Sequence, residues 1–165
     1  KEDERKNLEA LERLRLRTQL KFMDFEVIKN LNGFDFEDYV HRQLNFLNIK
    51  NTPTKKSGDF GIDMFISLEQ EYGVQLKHYL KSKVGVSAVQ ETFAGATYYN
   101  KVPVILTTGY FTKQAINLAQ SLNIELINRD DIENWHNPHY KREYDHIEDG
   151  LYRQIQKSLI LKMNC

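Results

Sequence analysis

Apolar residues recur along the first thirty positions at helical intervals. Leu16, Leu20, Met23, Val27 and Leu31 stand 4, 3, 4 and 4 residues apart, and Leu8, Leu11 and Leu14 lead into them. Glu2/Lys6 and Glu9/Arg13 are i,i+4 pairs with the acid first, the favourable order. The spacing predicts one amphipathic helix over residues 2–31, ended by Asn32-Gly33. At about four heptads it suits a linker, an oligomerisation helix or a helix packed on the domain. A second stripe, Phe36, Val40, Leu44 and Leu47, predicts a helix over residues 35–47. Asp35 is expected to cap it, with Glu37 and Asp38 at the positive end of its dipole.

The period then shortens to two. Ile62 to Ile66 and Tyr72 to Lys77 are β-prone runs separated by Ser67 to Glu71, a hairpin pattern, and a further strand is expected before Pro53. Helical spacing returns at Ser87, where Ser87-x-x-Gln90 has the form of a capping box and Val89, Phe93 and Ala96 share a face. Val102 to Leu106 reads as a strand, Thr112 as the cap of a helix reaching Leu122, Ile124 to Ile127 as a short strand, and Asp130 to Trp135 as a turn or helix. This order describes an α/β domain with a mixed sheet and helices on both faces. Residues 136–165 are polar and Tyr-rich before Leu151, Ile155 and Leu159 mark a terminal helix. Three parts are expected: a helical segment over 1–32, a domain over 33–135 and a helical tail over 136–165.

Composition narrows the function classes. The 165 residues carry 23 Lys+Arg against 23 Asp+Glu, so any electrostatic site must come from local arrangement. The single cysteine, Cys165, excludes an internal disulfide framework and a Cys-based zinc module. No run approaches the length of a membrane-spanning helix and no signal-peptide pattern opens the chain, so an intracellular, cytoplasmic setting without membrane contact is expected. The chain opens on Lys1 rather than Met, so it reads as a piece of a longer protein, with an upstream anchor left open.

The chemistry concentrates in GDFGIDMFISLEQEYGVQLKHY, residues 58–79. Asp63 alternates with Ile62 and Met64, and Gln75 and Lys77 share a face two residues apart. Pairing the two strands gathers an acid, an amide oxygen and an ammonium, a set able to hold a hard divalent cation beside a positioned water. By spacing alone, an exposed polar sheet face explains the same pattern. His136, His139 and His146 lack acidic or Cys partners at fixed spacing and read as surface residues. Thr107 and Thr108 read as a strand end. Tyr98 and Tyr99 read as core packing and a helix end rather than base-stacking rings.

Ser57-Gly58-Asp59-Phe60-Gly61-Ile62-Asp63 followed by Gln75-x-Lys77 resembles the catalytic core of the Mrr-like restriction endonucleases, within the PD-(D/E)xK nuclease superfamily. Phe36-Glu37, Val89-Gln90-Glu91 with Gly95, Thr107-Thr108-Gly109-x-Phe111-Thr112 with Ala115, and Leu126-Ile127 to Asp130-Asp131-Ile132 resemble its other blocks, in order, over about residues 33–135. The resemblance implies a restriction-endonuclease-like αβββαβ core, here with a long N-terminal helix and a C-terminal helical tail, and metal-dependent endonucleolytic cleavage of DNA in restriction or defence. It implies Asp63 as central metal ligand, Gln75 as a neutral oxygen donor, and Glu37 as a ligand directly or through water. Lys77 would orient or help deprotonate the attacking water and stabilise charge in the transition state. Mg2+ is the expected ion, with Mn2+ able to substitute. The superfamily more often has an acid at the position of Gln75, but Gln is common in this branch. Lys55, Lys56, Lys81 and Lys83 flank the motif as candidate phosphate contacts, and Gln90 is both a candidate cap and a DNA contact. DNA is the expected partner, with self-association through the N-terminal helix. A structure-selective nuclease resembling the Holliday-junction resolvases, or a silent DNA-binding or sensor module, are the alternatives.

Overall fold

A computed structural model describes residues 1–19, 21–54 and 60–164, with side chains described at all of these except 13–19. The predicted positions Leu14, Leu16, Leu20, Lys55, Lys56, Ser57, Gly58 and Asp59 therefore lie outside the described side chains. Helix α1, Glu2–Gln19, is exposed at every described side chain. It does not continue to residue 31. Met23 adopts a left-handed backbone (φ 53°), and Asp24 accepts a hydrogen bond from the Glu26 N–H to start a separate short helix, α2, Phe25–Ile28. The reason lies in burial: Phe22, Met23 and Ile28 enter the domain core, which a straight continuation of α1 would not allow. Asn32-Gly33 then opens rather than closes a helix. The Asn32 side chain, not Asp35, caps α3, Gly33–Phe46, by accepting from the Asp35 N–H at 2.8 Å.

Strands β1, Lys50–Pro53, β2, Met64–Ser67, and β3, Glu71–Lys77, form an antiparallel meander. Two-residue β4, Lys83–Val84, precedes α4, Val86–Tyr99. Gly85 occupies the N-cap of α4 without a side-chain bond, so the Ser87/Gln90 capping box does not form and Gln90 is exposed. Then come β5, Val102–Thr107, β6, Tyr110–Phe111, α5, Lys113–Ser121, capped by Thr112, β7, Glu125–Ile127, α6, Arg129–Glu133, and α7, Leu151–Met163. The main sheet runs β1-β2-β3-β5-β7, with β3, β5 and β7 parallel, and β4 pairs with β6 in a separate parallel ribbon that the sequence pattern did not predict.

Alternation along the strands sends side chains to two cores. Met64, Ile66, Tyr72, Val74, Leu76, Val104, Leu106 and Ile127 pack with α3 and α7 on one face. Ile105 and Leu126 pack with α4 and α5 on the other. The tail is fastened to the domain. Glu125 accepts from the Leu151 and Tyr152 N–H groups at the start of α7, and Arg142 pairs with Glu125 and Asp131. Tyr152 stacks on Trp135 with ring centroids 4.6 Å apart. His136 and His146 are half-buried structural residues rather than surface ones, bonded to the Phe22 and Ile124 carbonyls.

Candidate active site

The β2–β3 pairing brings the acid and the amide together. Met64 faces Val74 in register, and just before it the Asp63 N–H donates to the Val74 carbonyl. The Asp63 carboxylate turns onto β3, where Oδ2 accepts from the Leu76 N–H at 2.7 Å. This bond anchors the carboxylate on the backbone of the residue that separates Gln75 from Lys77, the two residues that face away from the Tyr72–Val74–Leu76 core. Lys77 is partly buried, with Nζ 5.7 Å from the Tyr79 ring centroid. Beyond it, His78 stacks on Phe36 of α3 (ring centroids 5.0 Å) and bonds to Thr108 and to the Leu31 carbonyl. That stack sets the start of α3, with Glu37 next to Phe36, against the C-terminal end of β3.

Gln75 is only 3% exposed, and α4 holds both ends of its amide. Oε1 accepts from the Thr92 hydroxyl at 2.6 Å, and Nε2 lies 3.4 Å from Glu91 Oε2. The amide oxygen that the sequence reading assigned to a metal therefore faces a buried hydroxyl here. The loop from β1 closes on the same helix: Gly61 has φ 80°, and a Cβ there would stand 3.2 Å from the Glu91 Cβ and 3.5 Å from Gln75 Nε2. Glu91 thus rises from α4 beside the segment that delivers Asp63. It lies within the Val89-Gln90-Glu91 block of the sequence, but no periodicity in that block singles it out, because its neighbours come from another element.

The remaining candidates are spread out. Lys81 and Lys83 are exposed, in the loop after β3 and in β4, and Gln90 is exposed on α4. Tyr98 corrects the sequence reading: it is 67% exposed and rests against Phe60, itself 55% exposed, with centroids 4.5 Å apart. Thr107 and Thr108 are buried structural residues. The Thr107 hydroxyl accepts from the Gly109 N–H, and the Thr108 N–H donates to the Lys77 carbonyl.

Asp63 and Glu91 offer carboxylate oxygens and Gln75 an amide oxygen that here bonds to Thr92, hard donors of the kind that suits a divalent cation. No group of three or more His, Cys, Asp or Glu side chains able to hold a metal occurs among the described residues. An ion here would take the rest of its shell from the amide, backbone carbonyls, water or phosphate. No helix among the described residues is long and apolar enough to cross a membrane.

Residues 28–136 match the restriction endonuclease family of the Mrr catalytic domain. No curated protein matches the chain. Among solved structures, a protein of unknown function, AF1548, is similar at 18% identity and TM-score 0.50, over 66% of this chain and 61% of that one. The DNA modification-dependent restriction endonuclease AspBHI is similar at 22% identity and TM-score 0.49, over 65% of this chain and 32% of that one. The chain therefore spans less than two thirds of the length of either protein, and the first likeness is one of fold. The family match covers α3, the described strands and the helices α4 to α6, and with them Gln75 and Lys77 on β3 and Asp63 just before β2. Over residues 28–136 the chain belongs to the restriction endonuclease family, as an Mrr catalytic domain.

Proposed function

We propose that the protein is a metal-dependent endodeoxyribonuclease acting in restriction or defence against foreign DNA. The observation that carries this reading is the Asp63 carboxylate held on the Leu76 N–H between Gln75 and Lys77. A bound Mg2+ or Mn2+ supplies counter-charge for the reacting phosphate and a more acidic water. Asp63 is the carboxylate that holds it, with Glu37 contributing from α3. Lys77 offers a positive, proton-bearing group on the same sheet face, suited to orienting the attacking water and to stabilising charge that develops on the phosphate oxygens. Gln75 adds a donor without adding negative charge, which eases approach of an anionic backbone. Lys55, Lys56, Lys81, Lys83 and Gln90 are the proposed DNA contacts, the lysines through phosphates. Self-association is assigned to α1, where Leu8 and Leu11 are 66% and 63% exposed on one side of a helix bearing Arg5–Glu9 and Lys6–Glu2 ion pairs.

Plasmid nicking with Mg2+, against an EDTA control, tests the reading. Asp63→Ala and Lys77→Ala are each expected to reduce cleavage by at least about 100-fold, the scale of losing one group that stabilises transition-state charge, while the thermal melt stays cooperative. Undiminished cleavage by either purified variant would exclude the mechanism.

A further inference from the structure

The Thr92 hydroxyl faces two acceptors, Gln75 Oε1 at 2.6 Å and the Ala88 carbonyl at 2.7 Å. A hydroxyl has one proton to give, so it serves only one of them fully at a time. Thr92 and Gln75 are 0% and 3% exposed, which leaves little access for water to supply the second bond. On the other side of the amide, Nε2 meets Glu91 Oε2 at 3.4 Å, on an exposed residue of α4. Turning the amide by half a rotation exchanges its oxygen and nitrogen nearly in place. Thr92 then donates to Ala88, the back-bond a helical threonine commonly makes, and accepts from Gln75 Nε2–H. Thr92, the Ala88 carbonyl and Gln75 Nε2 are then satisfied, and the Gln75 oxygen is left without a donor. What the turned amide creates is a carbonyl oxygen beside a Glu91 carboxylate oxygen, an arrangement that repels unless a cation sits against both.

We propose that Gln75 is a two-position amide, nitrogen toward Glu91 in the metal-free protein and oxygen toward the metal in the loaded one. Glu91 serves as a further metal-site carboxylate and Thr92 as the pivot that accepts the displaced N–H. This rests on the metal-dependent reading above. It explains how a neutral residue buried in the sheet takes part in an ion site without a permanent exposed oxygen. It also assigns a role to Glu91, which the strand motif alone does not include.

The test is Mn2+ binding to the full DNA-free chain by titration calorimetry, with the Gln75 side-chain amide followed by NMR in 15N-glutamine-labelled protein. Glu91→Gln is expected to weaken Mn2+ binding by at least about tenfold, and Thr92→Val by about tenfold, on the scale of losing a group that supports a metal ligand. Thr92→Ser should restore most of the affinity, which separates loss of the hydroxyl from a packing defect. Saturating Mg2+ should move the contacts of the Gln75 amide protons from Glu91 to Thr92. Wild-type affinity in Glu91→Gln, or amide protons that stay on Glu91 in saturating Mg2+, would overturn the two-position amide alone. Failure of wild-type protein to bind Mn2+, with and without duplex DNA, would overturn the metal-dependent reading beneath it.

Discussion

Gly95 shows how one missing side chain positions a site. A Cβ there would stand 2.2 Å from the Phe60 carbonyl oxygen and 2.9 Å from Ile62 Cγ1, so α4 and the chain leading to Asp63 touch through a glycine. Gly→Ala inside a helix ordinarily gains about 1 kcal/mol. Here Gly95→Ala is expected to lose about 1–3 kcal/mol through overpacking, measured by urea denaturation, and to lower cleavage further by displacing Asp63. His136 gives a pH-dependent counterpart. Burial, with Lys21 adding to it and the Phe22 carbonyl and Asp24 opposing, holds its pKa below the ordinary 6.5. The unfolded chain then takes up the proton more readily than the folded one. Stability present above pH 6.5 should be lost as pH falls through the lower folded value. Melting temperature against pH should slope less in His136→Gln. Asp63, Gln75 and Lys77 were singled out in the sequence by the family resemblance, because strand alternation, which puts the last two on one side, fitted an exposed polar sheet face as well. Glu91 and Thr92 were not, since their partner Gln75 arrives from a strand sixteen and seventeen residues away through a packing that spacing does not encode.

At the scale of elements, the C-terminal helix depends on a buried ionic knot. Glu125 and Arg142 are each 3% exposed in their side chains, and Asp131, at 5%, completes the capping box of α6 with Asn128. Burial raises the Glu125 pKa, and the Arg142 charge with the two α7 N–H bonds opposes that rise. Arg142→Ala would leave two carboxylates buried without their cation, a loss of about 3–5 kcal/mol, and α7 should protect its amides least in hydrogen exchange. Several helices and strands were readable from their own period, and α5 also from its Thr112 cap on Ala115, whereas α3 is capped by Asn32 rather than Asp35 and α4 starts on Gly85 without a side-chain cap. Two features were hidden. The 3–4 spacing from Leu16 to Leu31 continues across a break, because Met23 and Ile28 serve the domain core while the described leucines of α1, Leu8 and Leu11, stand in solvent. The ribbon of β4 and β6 pairs only two residues per strand, too few for any alternation to register.

For the molecule as a whole, the core extends beyond the first boundary expected from the sequence. Phe22, Met23 and Ile28 are at most 4% exposed and pack with α3 and α7. Deleting residues 1–20 should leave a cooperative melt, and deleting residues 1–30 should abolish it, because three buried apolar side chains of about 1.5–3 kcal/mol each leave with the segment. Equal melts for the two truncations would return residues 21–30 to the periphery. The C-terminal tail has a second consequence, for solubility. β7 borders the five-stranded sheet, and a bordering strand is a template on which another extended chain can pair. Two alternate carbonyls along that border, at Ile124 and Leu126, are occupied by the His146 ring and the Arg142 guanidinium. Losing the tail would uncover these backbone acceptors along the Ile-Glu-Leu-Ile stretch. Chains trimmed after α6 should then accumulate as aggregates even where the remaining sheet stays folded, leaving the opposite border, with Lys50 and Pro53 at its ends, as the side that remains blunted.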